Sequence, residues 1–205
     1  MEQNIIQVKI IRHSNRLDFS NPLYWMICIG QYWSDSPLNS DGYKNAKKKA
    51  NVLAGSGFIP SYIYVSPYSR TLATATEFRS VFPKAEIKIE PLLAEYQPRY
   101  AHAITLYPAG IPTTYDGEPT EFFYPESPTS FSRRVQFIIS KLIEKNSENI
   151  MIVTHGEVLK SYISHLQNLF PNLLLDPGNT PYLTTLSFSI DTYSGQFVDG
   201  SIKIE

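Results

Sequence analysis

The sequence predicts an α/β fold, a three-layer α/β/α sandwich around a mainly parallel sheet. Two observations lead to this class. Short strand-type segments alternate with helix-type segments along most of the chain, and the segment 149–154 (NIMIVT) is almost wholly apolar, as is typical of a strand buried on both faces. Because no linker, repeat or low-complexity tract interrupts this order, we expect one domain over residues 1–205.

The elements are predicted in order from local signals. Ile5–Ile11 alternates and then fills with branched apolar residues, which indicates a buried strand. A helix is expected to begin at Asn39 or Ser40, either of which can cap it, and to stop at Gly55. The other expected elements are strands 61–65, 86–90, 149–154, 184–190 and 196–204, and helices over about 68–82, from Pro128, and after His155.

Two irregular insertions, around 17–37 and 97–127, interrupt this pattern. The first is rich in aromatic residues and is expected to be a long loop or partly helical, and the second is rich in proline and tyrosine. A long irregular stretch inside a compact domain is usually functional, so a lid or a substrate wall is expected there.

Composition narrows the classes of partner. Eighteen basic residues against nineteen acidic ones give a net charge of −1, which disfavours nucleic acid as a partner because phosphate binding calls for a basic excess. The lysine run 47–49 is therefore interpreted as a solvated helix face. Glu2 stands where a secretory signal would be basic, and no apolar run approaches the roughly 20 residues that span a bilayer. We expect a cytoplasmic protein without a membrane partner.

Charged and polar side chains follow the C-terminal ends of predicted strands that are far apart in sequence. They are Arg12, His13 and Arg16 after the first strand, Ser66 and Arg70 after the second, Glu95 after the third and His155 after the fourth. Ligands of open α/β sheets bind outside the carboxyl ends of the strands, so we expect these side chains to meet at one rim.

This set of residue types suits a phosphoryl group. Arginine forks bind phosphate oxygens with paired, charge-assisted hydrogen bonds. A histidine among such cations has its protonated form disfavoured, which leaves a ring nitrogen free to act as a nucleophile. A nearby carboxylic acid can protonate the departing oxygen. Since the single Cys28 excludes a cysteine-built metal site and the arginines can carry the charge, no metal and no cofactor is expected.

Four motifs carry these residues: Arg12-His13-Ser14, the block from Ser66-Pro67 through Arg70 to Ala75, Glu90-Pro91-Leu92-Leu93-Ala94-Glu95-Tyr96, and Val153-Thr154-His155-Gly156. In this order they resemble the motifs of the histidine phosphatase superfamily, which has a phosphoglycerate mutase-like fold. The resemblance extends from Lys9 to about Leu169. It implies that His13 becomes phosphorylated, that Arg12, Arg70 and His155 bind the phosphoryl oxygens, and that Glu95 donates the proton.

Two positions distinguish branches of that family. Arg16 matches an arginine found in a branch that resembles the UBASH3/STS tyrosine phosphatases and the ecdysteroid-phosphate phosphatases, and the continuation typical of mutases is absent after His13. Ser14 stands where the family has glycine, a residue that usually serves a positive φ or a close backbone approach. Serine is small enough to be accepted there, so an active site is still expected.

Plainer interpretations exist for each residue. His13 alone fits a structural histidine at a strand end, His155 a helix N-terminal residue and Arg70 a helix-surface residue. For Glu95 the alternatives are a solvated turn residue, or replacement as the acid by Glu90, Glu118, Glu121 or Glu126. The combined motifs favour function over these interpretations.

The sequence thus predicts a metal-independent phosphomonoesterase that forms a covalent phosphohistidine and acts on a small-molecule phosphate ester or a phosphotyrosine-type substrate. The alternatives are a phosphoglycerate mutase-type phosphotransferase and a non-catalytic scaffold that binds phosphorylated ligands. The pocket walls come from the two irregular insertions, so neither the physiological substrate nor the oligomeric state follows from the sequence.

Overall fold

The computed structural model describes residues 5–28, 35–97, 114–115, 118–119 and 125–205. Its strands are β1 Ile5–Arg12, β2 Tyr62–Val65, β3 Glu86–Ile89, β4 Thr114–Tyr115, β5 Glu118–Pro119, β6 Ile150–Thr154, β7 Thr185–Asp191, β8 Gln196–Phe197 and β9 Lys203–Ile204. Its helices are α1 Leu17–Ser20, α2 Pro22–Cys28, α3 Ser40–Gly55, α4 Ser69–Val81, α5 Pro128–Glu144 and α6 Gly156–Leu169.

A seven-stranded mixed sheet forms the centre, in the order β3-β2-β6-β1-β7-β8, with β9 also paired to β7. β3, β2, β6 and β1 are mutually parallel, whereas β7 is antiparallel to β1, and β8 and β9 are each antiparallel to β7. The predicted α/β class with a mainly parallel sheet is therefore confirmed, and its antiparallel side makes it mixed. β4 and β5 pair with each other as a separate two-stranded sheet.

Helices cover both faces of the sheet. The alternation along β6 shows this, since Ile150 and Ile152 pack with α5 and α6, whereas Met151 and Val153 pack with α3 and α4. Successive side chains of a strand point to opposite faces, so these two clusters are the two apolar layers of a sandwich.

Most predicted boundaries agree with the structure to within a residue or two. Asn39 caps α3 by accepting a hydrogen bond from Gly42 N at 2.7 Å. The expected closing strand 196–204 was wrong as one element: the chain turns between β8 and β9, where Gly200 has a φ of 68°. A positive φ of this kind is easily adopted by glycine, and it breaks the ladder.

The first insertion, 17–37, is partly helical, because α1 and α2 lie within it; residues 29–34 fall outside the described residues. Most of the second insertion, 97–127, also falls outside them, apart from its two ends and the β4–β5 pair. Within the residues that the structure describes, no helix combines the length and the apolar character needed to cross a membrane.

Candidate functional site

The sheet brings the two predicted histidines together. β1 and β6 are parallel neighbours with Arg12 opposite Thr154, so His13 and His155 leave the sheet side by side. Their rings meet edge to face with centroids 5.4 Å apart, and both residues are buried. Strand adjacency therefore places at one rim two imidazoles that are far apart in the sequence.

The hydrogen bond of His13 defines which ring nitrogen carries the proton. Its Nδ1 lies 2.8 Å from the carbonyl oxygen of Ser14, and a carbonyl only accepts hydrogen bonds. The neutral ring therefore carries its hydrogen on Nδ1, which leaves a lone pair on Nε2. This is the form that a nucleophilic histidine requires.

His155 has a different set of partners. Its Nε2 lies 2.7 Å from Ser66 Oγ at the end of β2. On the opposite side of the ring, Nδ1 lies 3.3 Å from Arg70 Nη2 and 3.4 Å from Glu95 Oε2. His155 thus connects the end of β2 to the groups that follow β2 and β3.

Arg70 occupies the middle of the cluster. The side chain is 2% exposed, its Nη2 donates to Glu95 Oε2 at 2.6 Å, and its guanidinium stacks 4.3 Å from the centre of the Tyr68 ring. Asp35 caps α4 by accepting from Ser69 N at 2.8 Å, and its Oδ1 lies 3.6 Å from Arg70 Nη1. Arg70 Nε and Nη1 make no hydrogen bond with the described residues, so donor capacity remains for an anion.

Arg12 reaches the same region from β1. Its Nη1 donates to Thr180 O at 2.6 Å, its guanidinium lies 4.5 Å from the centre of the Tyr182 ring, and its buried Nε has no hydrogen-bond partner among the described residues. A Cβ on Gly156 would lie 3.3 Å from this Nε, so glycine there allows α6 to begin directly beside the guanidinium.

Arg16 differs from the other two arginines because it binds both oxygens of one neighbouring carboxylate. Its Nε and Nη2 donate to the two carboxylate oxygens of Asp18 at 3.0 Å and 2.5 Å. Burial raises the pKa of Asp18, but the hydrogen bond and charge of Arg16 outweigh burial and hold that pKa below its ordinary value. A bidentate pair of this kind fixes the direction of the guanidinium.

Ser14 occupies the glycine-like position without backbone strain. Leu183, with a φ of 63°, is the one non-glycine residue with a positive φ in the described part of the chain, so Ser14 does not need glycine's freedom. Ser14 is buried and its N donates to Thr74 Oγ1 at 3.1 Å. The family glycine's conformational role is therefore not needed here.

The loop that carries Glu95, here called the acid loop, is held by Arg134 of α5, which forms a buried ion pair with Glu126 just before the helix. Arg134 Nη1 donates to Leu92 O at 2.5 Å and to Ala94 O at 3.0 Å, while Nη2 bonds Glu126 Oε1 at 2.6 Å. Glu126 is thereby paired with Arg134, and Glu90 accepts a hydrogen bond from Leu92 N at 2.9 Å. Neither carboxylate therefore replaces Glu95 as the candidate proton donor. The side chains of Glu118 and Glu121 lie outside the described residues.

The electrostatics keep both histidines neutral and Glu95 ionised. Burial, followed by the charges of His155 and Arg70, lowers the pKa of His13 well below its ordinary value. Burial also lowers the pKa of His155 to about 4, although Glu95 opposes this shift. Burial raises the pKa of Glu95, but His155 and Arg70 outweigh burial and hold it well below its usual range.

Some contacts of the site could not be found from sequence motifs. Tyr182, whose ring centre lies 5.6 Å from that of His13, belongs to the segment before β7, and Asp35 lies near the end of the first insertion. Neither lies in a motif or in a periodic segment, so no local signal marked them. In the described residues, no group of three or more His, Cys, Asp and Glu side chains is arranged to hold a metal ion.

Comparisons with known proteins show the family to which the chain belongs. Residues 25–198 match the family model described as histidine phosphatase superfamily (branch 1). A protein described as an uncharacterized phosphoglycerate mutase family protein, R708 of Acanthamoeba polyphaga mimivirus, is 59% identical over 201 residues, which are 98% of each chain.

Solved structures show the same fold at low sequence identity. The ecdysone phosphate phosphatase of Bombix mori, in complex with tungstate, matches with a TM-score of 0.67 at 19% identity, covering 97% of this chain and 93% of that one. The phosphoglycerate mutase of Bacillus anthracis str. Sterne matches with a TM-score of 0.64 at 17% identity, with the same coverage of 97% and 93%. At these identities the similarity is one of fold.

Proposed function

Because the chain belongs to the histidine phosphatase superfamily, we propose that it is a phosphomonoesterase that works through a phosphohistidine formed at His13. The observation that carries this proposal is the 2.8 Å contact between His13 Nδ1 and the carbonyl oxygen of Ser14. A backbone carbonyl holds the proton on Nδ1, and burial beside Arg70 and His155 keeps the ring neutral, so Nε2 has a free electron pair.

In the first step, the phosphoryl group of the substrate is bound by Arg12, Arg70 and His155. The lone pair of His13 Nε2 forms a bond to phosphorus, and the bond from phosphorus to the ester oxygen breaks. Glu95 gives a proton to that departing oxygen. Glu95 is ionised in the free protein, so this proton arrives with the monoanionic form of the substrate.

In the second step, water attacks the phosphorus of phosphohistidine. Glu95, now a carboxylate, takes a proton from the water, and the bond from phosphorus to His13 Nε2 breaks. Glu95 then returns this proton to the phosphate, which leaves as dihydrogen phosphate, so that the carboxylate is ionised again. Arginines carry the charge that develops on the phosphoryl oxygens, as a metal ion does in other phosphatases, and we propose that the reaction is independent of metal. Chelator treatment should leave the activity unchanged.

For the substrate class we propose a small phosphate ester or a phosphotyrosine-type group. Arg16 supports a likeness to the UBASH3/STS-like branch, and a relative of the fold is an ecdysone phosphate phosphatase. The Asp18 pair orients Arg16, so we propose that Arg16 adds a further phosphate contact.

A mutase-type phosphotransferase is the second candidate. It is favoured by the mimivirus relative, which is described as a phosphoglycerate mutase family protein, and by the fold likeness to the Bacillus anthracis mutase. Incubation with phosphoglycerate separates the two functions, since a mutase yields the isomeric phosphoglycerate and a phosphatase yields inorganic phosphate.

The non-catalytic alternative has one motive in the sequence, Ser14, which stands where the family has glycine. It loses that motive because Ser14 sits at an unstrained φ and its carbonyl holds the proton of His13 in the required position. Turnover of p-nitrophenyl phosphate would exclude this alternative, and oxyanion binding without turnover would support it.

The decisive experiment is covalent labelling. Rapid mixing with a ³²P-labelled substrate followed by denaturation should trap label on His13, and His13→Ala should lose both label and turnover. His165→Ala is the matched control, because His165 lies on α6, with its ring 5.7 Å from that of Tyr162. Label that persists in His13→Ala, or is lost in His165→Ala, would contradict the assignment.

A further inference from the structure

A tight turn just before β7 brings a tyrosine against the site. Pro181 O accepts hydrogen bonds from Thr184 N at 3.1 Å and from Thr184 Oγ1 at 2.7 Å, which closes a β-turn over residues 181–184. Tyr182 and Leu183 are its two central residues. None of the four sequence motifs of the site includes this turn.

The backbone of the turn is strained at Leu183. Its φ of 63° lies in the left-handed region, and a third turn residue with a positive φ is usually glycine. A leucine keeps this conformation only where its surroundings hold it, and Leu183 packs against the apolar layer between the sheet and helices α3 and α4. Such strain is concentrated at functional sites, which draws attention to Tyr182, the neighbouring side chain of the same turn.

The ring of Tyr182 contacts two members of the site. Its centre lies 5.6 Å from the centre of the His13 ring and 4.5 Å from the guanidinium carbon of Arg12. The side chain is half-buried. Both contacts are made by the aromatic ring, so the hydroxyl group is not needed for them.

The residue next to this turn holds Arg12 from a second direction. Arg12 Nη1 donates to Thr180 O at 2.6 Å. The hydrogen bond fixes one edge of the guanidinium, and the aromatic ring beside it opposes rotation of the group. Because Nη1 is engaged, the fork that remains for an oxyanion is the edge of Nε and Nη2, and Nε has no hydrogen-bond partner among the described residues.

We propose that Tyr182 is a positioning residue, whose ring holds the Arg12 guanidinium in the orientation that binds a phosphoryl group beside His13. This inference rests on the proposed function, in which Arg12 binds the phosphoryl oxygens. The strained turn keeps the ring in place before any ligand arrives. Binding of an oxyanion therefore does not have to order the arginine.

The test measures affinity for tungstate, a tetrahedral oxyanion without a leaving group, so contacts to the rest of a substrate do not contribute. Tyr182→Leu removes the ring, and we expect tungstate to bind about three- to tenfold more weakly, with kcat/KM for p-nitrophenyl phosphate lowered by a similar factor. Tyr182→Phe keeps the ring and should retain both values. Tyr193→Leu is the matched control, because Tyr193 is 90% exposed on the turn between β7 and β8.

A double-mutant cycle shows whether Tyr182 acts through Arg12. Lysine has no planar fork for the ring to orient, so Tyr182→Leu should weaken tungstate binding less in an Arg12→Lys background than in the unmodified protein. An equal loss in both backgrounds is the result expected of a merely structural residue, and it would overturn the proposal.

The outcomes separate this proposal from the function on which it rests. If the unmodified protein neither binds tungstate nor hydrolyses p-nitrophenyl phosphate, the proposed function is wrong. If it does both and Tyr182→Leu binds tungstate as tightly as Tyr182→Phe, the role of Tyr182 is wrong. Should Tyr182→Leu not fold, ¹⁵N-arginine NMR of the unmodified protein decides. The Nη protons of Arg12 should give separate signals before tungstate is added, and signals averaged by rotation of the guanidinium would contradict the proposal.

Discussion

Glu95 lies in the site with its charge already in place, and this has a consequence for catalysis. Its carboxylate bonds Arg70 Nη2 at 2.6 Å, and its side chain is 26% exposed. An ionised carboxylate cannot protonate a leaving oxygen, so the free protein is prepared for a substrate that brings its own proton.

This leads to a prediction for pH dependence. A phosphate monoester loses its last proton with a pKa of about 6, so kcat/KM should fall as the pH rises above that value. His13 has a lowered pKa and stays neutral as the pH falls below 6.5, so the nucleophile is preserved in the acid range. The measurement is kcat/KM against pH with an alkyl phosphate; a profile that climbs toward alkaline pH would contradict the prediction.

Glu95→Gln is the matched variant for that experiment. It keeps the shape of the side chain but has no proton to give, so kcat for an alkyl phosphate should fall by about 10²–10⁴-fold. The loss should be smaller for p-nitrophenyl phosphate, whose phenolate leaves without protonation. Equal losses for the two substrates would count against a role as general acid.

At the scale of elements, α3 docks directly onto the loop that carries His13. Gly42 lies so close to this loop that a Cβ would stand 2.5 Å from Asn15 O, and Asn15 O also accepts from Asn39 N at 3.0 Å. The contact is backbone to backbone, so no side-chain rotation can relieve an added methyl group.

We therefore expect Gly42→Ala to lower the free energy of unfolding by about 1–3 kcal/mol and to reduce kcat by shifting the loop after β1. Gly55→Ala is the control on the same helix. A Cβ there meets nothing within 4 Å, and alanine should stabilise α3 by about 0.5–1 kcal/mol. Urea denaturation with a parallel kcat measurement checks both, and equal effects would refute the docking argument.

The hydrogen bonds from Arg134 of α5 to the acid loop give a second prediction at this scale. Arg134 and Glu126 are 0% and 1% exposed, and removing one member of a buried pair leaves the other charge uncompensated. Arg134→Met should therefore lower the free energy of unfolding by about 3–5 kcal/mol. It should also lower kcat, because the Leu92 and Ala94 carbonyls that set the loop lose their donor.

Lys141→Met on the same helix is the control for Arg134→Met. Lys141 pairs with Glu144 at 2.6 Å, but the two side chains are 43% and 60% exposed, so its loss should cost less than about 1 kcal/mol. Chemical denaturation of the two variants measures the difference. A similar cost for both would show that the buried pair does not support the loop.

At the scale of the whole molecule, the sequence allowed the α/β class and most elements to be predicted. Their signals are local: NIMIVT reads as a buried strand, and Asn39 and Pro128 mark helix starts. The meeting of His13, Arg70, Glu95 and His155 was predictable too, because parallel strands expose their carboxyl ends at one edge.

Some contacts could not be predicted from the sequence, because they join segments that are far apart in the chain and at least one of the two segments carries no recognisable motif. The stacking of Tyr182 on Arg12, and the approach of Asp35 to Arg70, depend on where two irregular segments run. The break between β8 and β9 depends on a single positive φ at Gly200, which an alternating pattern does not reveal. Likewise, whether serine is accepted in place of the family glycine at position 14 depends on the backbone φ of that residue, which the sequence does not give.

The segment just before β7 has a consequence for how the protein is made. Arg12, near the start of the chain, bonds Thr180 O across a separation of 168 residues, and its backbone N bonds Thr184 O at 3.0 Å. A nascent chain still on the ribosome, before this segment has emerged, holds the nucleophile but lacks these two supports for Arg12. On the proposed function, competence for catalysis should therefore arise only after residues 180–184 have emerged from the ribosome and packed against Arg12.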